Sequence, residues 1–235
     1  MVQTVFQRHE KKYVLSSEQY RMLTTRLGQH LEPDEYGGYG IANLYFDTDS
    51  YYYAQASTGR RPYKEKLRLR AYGRVSAETQ VFLELKKKYK GVTYKRRAHL
   101  SYSEAKSFLK TPHNPSTQIL REIAYVLNQR PLTAKVFLCY NRLALTGQPD
   151  LRVTFDTDIR FRLSDLRLDA GAWGTDILPD KILMEVKTPT AIPLWLSRAL
   201  SDCEAFPASF SKYGTCCREF IFGNVNRRDS QCQAY

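Results

Sequence analysis

Between Lys64 and Lys88, cations and carboxylates alternate with apolar residues at a period of two. In KEKLRLRAYG, Lys64, Lys66, Arg68, Arg70 and Tyr72 share one parity, and Leu67, Leu69 and Ala71 share the other. In VFLELKKK, Phe82, Glu84, Lys86 and Lys88 alternate with Val81, Leu83 and Leu85. A period of two belongs to half-buried strands, so the runs predict a hairpin connected over 73–79. A charged strand face is ordinarily just a solvated one. Here the pattern returns along the chain, and Arg stands where Lys would suffice for solubility. Such side chains grip phosphate oxygens, and Glu beside them is a hard oxygen ligand suited to Mg²⁺ or Mn²⁺.

The elements that would position these residues follow in order. Residues 3–14 alternate, with Arg8, Glu10 and Lys12 on one face. Ser16 or Ser17 is expected to cap a helix to about Leu31. Residues 41–47 predict a strand, and Tyr51 to Tyr53 a loop or short helix. Residues 92–100 set Lys95, Arg97 and His99 against Arg96, Ala98 and Leu100. Ser103 is expected to cap a short helix and Ser116 a longer amphipathic one. Strands follow over 133–145 (with Tyr140 and Arg142), 151–156 (Arg152, Thr154 and Asp156 on one face) and 181–188 (Lys181, Leu183, Glu185 and Lys187 on one face). Pro193 opens a helix, and FSKYGTCCREFIFG reads as the last one. The order predicts an α+β fold on an antiparallel sheet, one domain over 1–223 with a polar tail over 224–235.

If the charged faces pointed outward, the amphipathic helices would have no apolar surface to cover. An inverted barrel of about eight strands places the charge inside, around a lumen able to hold a slender ligand. Arg8, Lys12, Arg68, Arg70, Lys86, Lys95, Arg97, Arg142, Arg152 and Lys187 would line it, and such repulsion requires water, counter-ions or a polyanion. Glu10, Glu84 and Glu185 join that lining. Each alone reads as a salt-bridge partner, and three together read equally well as a metal site.

Composition agrees. A net charge of +12 over 235 residues points to a polyanionic partner. Neither GxxxxGK[ST] nor GxGxxG occurs, which argues against a P-loop or dinucleotide-binding enzyme. No apolar run reaches membrane-spanning length, and MVQTVFQRHEKKY contains no signal-peptide core. Five cysteines without a CxxC spacing read as reduced thiols, so a cytoplasmic location is expected.

Nine motifs in series, RHEKKY, LYFDT, KLRLRAYG, VFLELKKK, YKRRAHL, YNR, LRVTFD, MEVKTP with PLWL, and SFSKY, resemble the VTC domain, the polyphosphate polymerase module of vacuolar transporter chaperone proteins, from about residue 5 to 222. That domain belongs to the triphosphate tunnel metalloenzymes, similar in fold to the CYTH group. The resemblance implies an eight-stranded antiparallel tunnel that binds ATP and polyphosphate with Mn²⁺ or Mg²⁺. It also implies phosphate-binding roles for Lys12, Arg68, Arg70, Lys86, Lys95, Arg97, Arg142, Arg152 and Lys212, to which the lumen lining adds Lys187. Of these, Arg70, Lys86, Arg152 and Lys212 would act catalytically, and Glu185 would hold metal beside Glu84 and Glu10. Arg8 stands where hydrolytic CYTH relatives usually carry a second Glu, which favours the polymerase-like branch. Hydrolysis of tripolyphosphate or nucleoside triphosphates, and binding without catalysis, stay open. No nucleic-acid partner is expected, and peripheral association with a membrane protein is compatible with the charge.

Overall fold

The computed structural model describes residues 9–59, 61–90, 92–113, 115–147 and 150–223. Arg8 and the expected tail over 224–235 lie outside the described residues. Among the described residues nine strands form one antiparallel sheet, and eight of them follow a single path. In chain order these are β1 (His9–Ser16), β2 (Glu32–Asp47), β3 (Tyr63–Tyr72), β4 (Gln80–Tyr89), β5 (Val92–Ser101), β6 (Thr133–Gly147), β7 (Leu151–Arg162), β8 (Thr175–Asp176) and β9 (Lys181–Thr188). The path runs β1-β9-β7-β6-β2-β3-β4-β5, with the two-residue β8 beside β7. Among the described residues β1 and β5 do not pair, so the sheet is open where a barrel would be closed. The helices are α1 (Ser17–Leu27), α2 (Tyr52–Thr58), α3 (Tyr102–Lys110), α4 (Gln118–Gln129), α5 (Leu194–Asp202) and α6 (Lys212–Cys216), which continues into a π-turn over Cys217–Phe222.

The chain divides into two compact units, one comprising 1–40, 140–159 and 178–210, the other 41–139, 160–177 and 211–235. In the first, α1 and α5 cover the apolar face of β1, β9 and β7. Leu15, Leu23, Val153, Phe155, Met184 and Leu196 are the centre of that core, each at most 1% exposed. In the second, α2, α3 and α4 cover β3, β4 and β5, where Leu67, Leu69, Leu83, Leu85 and Ile123 are sealed from water. Each core is thus the apolar parity of its strands plus one stripe of each helix.

Helix ends explain where the boundaries expected from sequence moved. Ser16 caps α1, its hydroxyl accepting from Gln19 N while the Gln19 side chain accepts from Ser16 N. The helix stops at Leu27 rather than Leu31, and Leu31 turns back against Gly147, where a Cβ would collide with it. Ser101, not Ser103, caps α3, because Ser101-x-x-Glu104 completes a capping box and Ser103-x-x-Lys106 has no acceptor to return. Thr117 caps α4 one residue after the expected Ser116, and the two hydroxyls carry the same chemistry. Strand β2 begins well before 41 and takes Gly37, Gly38 and Gly40 into its length.

Candidate active site

Cross-strand register sets the charged side chains of the second unit in rows. Arg68 faces Glu84 on β4 and Tyr45 on β2, and Glu84 faces Arg97 on β5. One row along, Lys66 faces Lys86, which faces Lys95. Asn43, Arg70, Phe82 and His99 make the row on the other side. Like charges directly opposed across strands repel, so the lysine row needs a nearby anion, and Glu84 supplies one to Lys95 at 2.7 Å.

Only 1% of Glu84 reaches solvent, and both its oxygens are engaged. Arg68 donates to Oε2 from Nε at 2.7 Å and from Nη2 at 2.6 Å, with Arg70 Nε at 3.8 Å. Arg97 donates to Oε1 at 2.7 and 2.5 Å, and Lys95 Nζ at 2.7 Å. Burial alone would raise this carboxyl, but Arg68, Arg70 and Lys95 outweigh it and hold it well below the usual carboxylate range. Lys95 is pulled down to about 8, first by loss of water, then by Arg97 and Arg68, while Glu84 pulls the other way.

Two neighbours hold this rack in place. Asn43, fully buried, accepts from Arg70 Nε at 2.9 Å and donates to the Leu138 carbonyl at 3.1 Å. Tyr45 accepts from Arg68 Nη1 at 3.1 Å. Its burial raises the phenol, yet Arg68, Lys66 and Arg70 together bring it below its ordinary value. Tyr45 stacks on Tyr213 of α6 with centroids 4.6 Å apart. Lys66 donates to the α6 cap, Ser211 Oγ, at 3.2 Å. Lys212, the first residue of α6, therefore starts beside the lysine row. Asp47 fastens the assembly. Its carboxylate accepts from Thr48, Tyr53 and Ala54 N–H groups and from the Tyr213 hydroxyl at 2.7 Å.

The first unit carries a different set. Lys12 faces Glu185, which faces Thr154, and Glu10 faces Lys187, which faces Arg152. Lys12 Nζ lies 3.3 Å from Glu10 and 3.8 Å from Glu185, and it donates to the Phe210 carbonyl at 3.0 Å. Lys187 Nζ lies 3.2 Å from Glu185 and 4.0 Å from Glu10. Arg152 donates to Asp34 at 2.9 Å. Arg142 makes a two-pronged pair with the fully buried Asp156, at 2.6 and 2.7 Å. Burial would lower the Arg142 guanidinium, but Asp156 outweighs that and raises it.

Among the described residues no group of three or more His, Cys, Asp and Glu converges as a metal site, so Glu10, Glu84 and Glu185 are not brought together as one. The donor sets differ in their fit to a divalent cation. Glu84 does not fit, because guanidinium and ammonium groups occupy its oxygens. Glu10 and Glu185 do fit. They share two ammonium partners, and opposite Glu185 the buried Thr154 hydroxyl has no hydrogen-bond partner among the described residues. Two carboxylates beside such a hydroxyl suit a cation that keeps waters and takes substrate phosphates as its other ligands.

Several residues that position the site went unassigned in the sequence: Asn43, Tyr45, Asp47, Asp156 and Tyr213. A signal existed for two groups of them. Asn43, Tyr45 and Asp47 share the parity that faces the cations, and Asp156 shares the parity of Arg152 and Thr154. Arg162 had no such signal. It donates to the carbonyls of Asp165, Arg167, Gly171 and Trp173 and lies 3.4 Å over the Phe137 ring, holding the 163–174 loop.

This fold and these cationic strand faces define the class, the triphosphate tunnel, CYTH-like fold. A proposed adenylate cyclase from Bacillus halodurans shares it at a TM-score of 0.56 and 17% identity, over 90% of this chain and 96% of that one. A proposed adenylyl cyclase from Hippeastrum, with a dominant triphosphatase activity, does so at 0.57 and 16%, over 91% and 96%. No curated protein matches the chain. Residues 7–221 match the VTC domain, and the chain belongs to that family.

Proposed function

We propose that this chain is a metal-dependent polyphosphate polymerase that moves the γ-phosphoryl group of ATP onto a growing inorganic polyphosphate. The observation that carries the reading is the Glu84 rack: one buried carboxylate fixes Arg68, Arg70, Lys95 and Arg97 at 2.5–3.8 Å, beside the row Lys66, Lys86 and Lys95. Such a rack is pre-organised for phosphate oxygens, so little reorganisation accompanies binding. Membership of the VTC family supports the polymer as acceptor.

In this mechanism a terminal polyphosphate oxygen attacks the γ-phosphorus in line. The bond to the β-phosphate oxygen breaks, ADP leaves, and the polymer gains one unit. Arg70, Lys86, Arg152 and Lys212 are assigned to the charge that spreads over the transferring group. Lys12, Arg68, Lys95, Arg97 and Lys187 bind neighbouring phosphates. Arg142 serves chiefly by fixing Asp156. The attacking oxygen is already ionised near neutral pH, so the step requires no strong general base. Glu185 and Glu10 would hold Mn²⁺ or Mg²⁺, which supplies positive charge to phosphate oxygens.

Hydrolysis of triphosphate is the second reading, favoured by the triphosphatase activity of the Hippeastrum neighbour. Incubation with ATP and Mn²⁺, followed by sizing of acid-labile polymer and assay of free phosphate, separates the two. Long polymer supports the polymerase, and free phosphate without polymer overturns it in favour of the hydrolase.

A further inference from the structure

The hairpin formed by β4 and β5 runs past the helices that cover it. Tyr63 faces Tyr89, Tyr89 faces Val92, and Lys87 faces Tyr94. These lie on the parity that is apolar core further along the same strands, yet Tyr63, Tyr89, Val92 and Tyr94 are 43–56% exposed. None of the four belongs to the core that α3 and α4 seal. Between Leu85 and Ser103 the chain carries Lys86, Lys87, Lys88, Lys90, Lys95, Arg96 and Arg97, and no Asp or Glu. The cations stand on both faces of the hairpin end. Lys87 shares the tyrosine face, Lys88 the opposite one, and Lys90 occupies the turn with its ammonium 5.5 Å from the Tyr89 ring.

A single-stranded nucleic acid would use the rings and cations of one face. Charge on both faces, with an aliphatic residue at the tip and hydroxyl-bearing rings behind it, instead suits end-on approach to a planar anionic layer. Tyrosines settle at the boundary between headgroups and acyl chains, and lysines beside them meet lipid phosphates and carboxylates. No described helix is long and apolar enough to cross a membrane, so this contact would be peripheral. We infer that the end of the β4–β5 hairpin is a docking surface for anionic lipid bilayers, through Lys88, Lys90, Tyr89 and Val92. The inference does not rest on the catalytic reading.

The test is cosedimentation of the full chain with vesicles of phosphatidylcholine, with or without phosphatidylserine. Binding is expected only to the mixed vesicles and should fall as salt rises. Lys88→Gln with Lys90→Gln should weaken it about 25-fold, at roughly fivefold per lysine. Tyr89→Ser with Val92→Ser should weaken it further, and melting temperatures of all variants should stay close to that of the parent. Arg70→Ala, which disturbs the Glu84 rack, should bind vesicles normally. Failure of the parent to bind the mixed vesicles overturns the inference, as does equal binding by both hairpin variants. Capture of single-stranded RNA in place of vesicles also overturns it.

Discussion

The Glu84 face and the Glu185 face draw on nearly the same residue types and hold charge in opposite senses. Glu84 is one buried carboxylate among Arg68, Arg70, Lys95 and Arg97, so its surroundings keep a surplus of positive charge. Glu185 and Glu10 are two carboxylates around two lysines, at 3.2–4.0 Å, and that set is balanced. Short two-pronged contacts fix the first, whereas the lysine contacts of the second are longer and single. The ratio of carboxylates to cations and the depth of burial, rather than the residue types, decide whether a strand face suits phosphate or metal.

The sharpest way to break this comparison is to neutralise both carboxylates. Glu84→Gln removes the anion from a buried cluster and should cost about 3–5 kcal/mol of stability, read by denaturant unfolding. Glu185→Gln should cost no more than about 1–2 kcal/mol and should abolish divalent-metal-dependent turnover. Equal losses of stability would mean that the two faces are energetically alike.

A polyanion should act mainly through the first face. Tripolyphosphate at a hundredfold excess over its Kd should stabilise the chain by about 2.7 kcal/mol and raise the melting temperature, while sodium chloride of matched ionic strength does much less. It should also restore part of the loss in Glu84→Gln. Identical shifts from both salts would leave only diffuse surface charge.

Side-chain truncations resolve the faces further. Arg70→Ala should weaken tripolyphosphate binding by about 1.5–3 kcal/mol, and Arg152→Ala on the second face by less, measured by titration calorimetry. Lys106→Ala and Arg121→Ala, on α3 and α4, should leave it unchanged. A loss at Lys106 equal to that at Arg70 would remove the distinction between rack and surface.

The smallest effect is protonic. Lys95 titrates near 8 in the folded chain and about 10.4 when unfolded. Between those values the unfolded chain binds more protons, so the Lys95 contribution to stability rises with pH across that window. A bound polyphosphate favours the ammonium, so binding at about pH 8.5 should take up protons, detected as a dependence of binding heat on buffer ionisation enthalpy. Proton release would place the ligand away from Lys95.

Much of this was legible in the sequence because strand parity is a local property. The runs KEKLRLRAYG and VFLELKKK announce which side chains share a face, and β3 and β4 fall within a residue of the predicted ends. The nine motifs led to the family that residues 7–221 match. Partnership is a different matter. Nothing local tells that Glu84 is enclosed by four cations while Glu185 meets its lysines at 3.2 and 3.8 Å, since both stand beside lysines in their strands. Nor does YNR reveal that Arg142 is committed to Asp156, fourteen residues away. Nor does parity reveal that Tyr89 and Tyr94 are exposed, since it is the parity of the core.

The bond from Tyr213 to Asp47 spans 166 residues, and it carries a timetable. Strands β3, β4 and β5 form a meander of short connections, complete by Ser101, whereas α6 begins at Lys212. Local contacts form early, and distant ones wait on loop closure. On a ribosome the lysine row of Lys66, Lys86 and Lys95 is therefore able to form before Ser211 and Tyr213 are made. For that interval the nascent sheet of β3, β4 and β5 presents its cationic face without the cap that Ser211 and Tyr213 later supply.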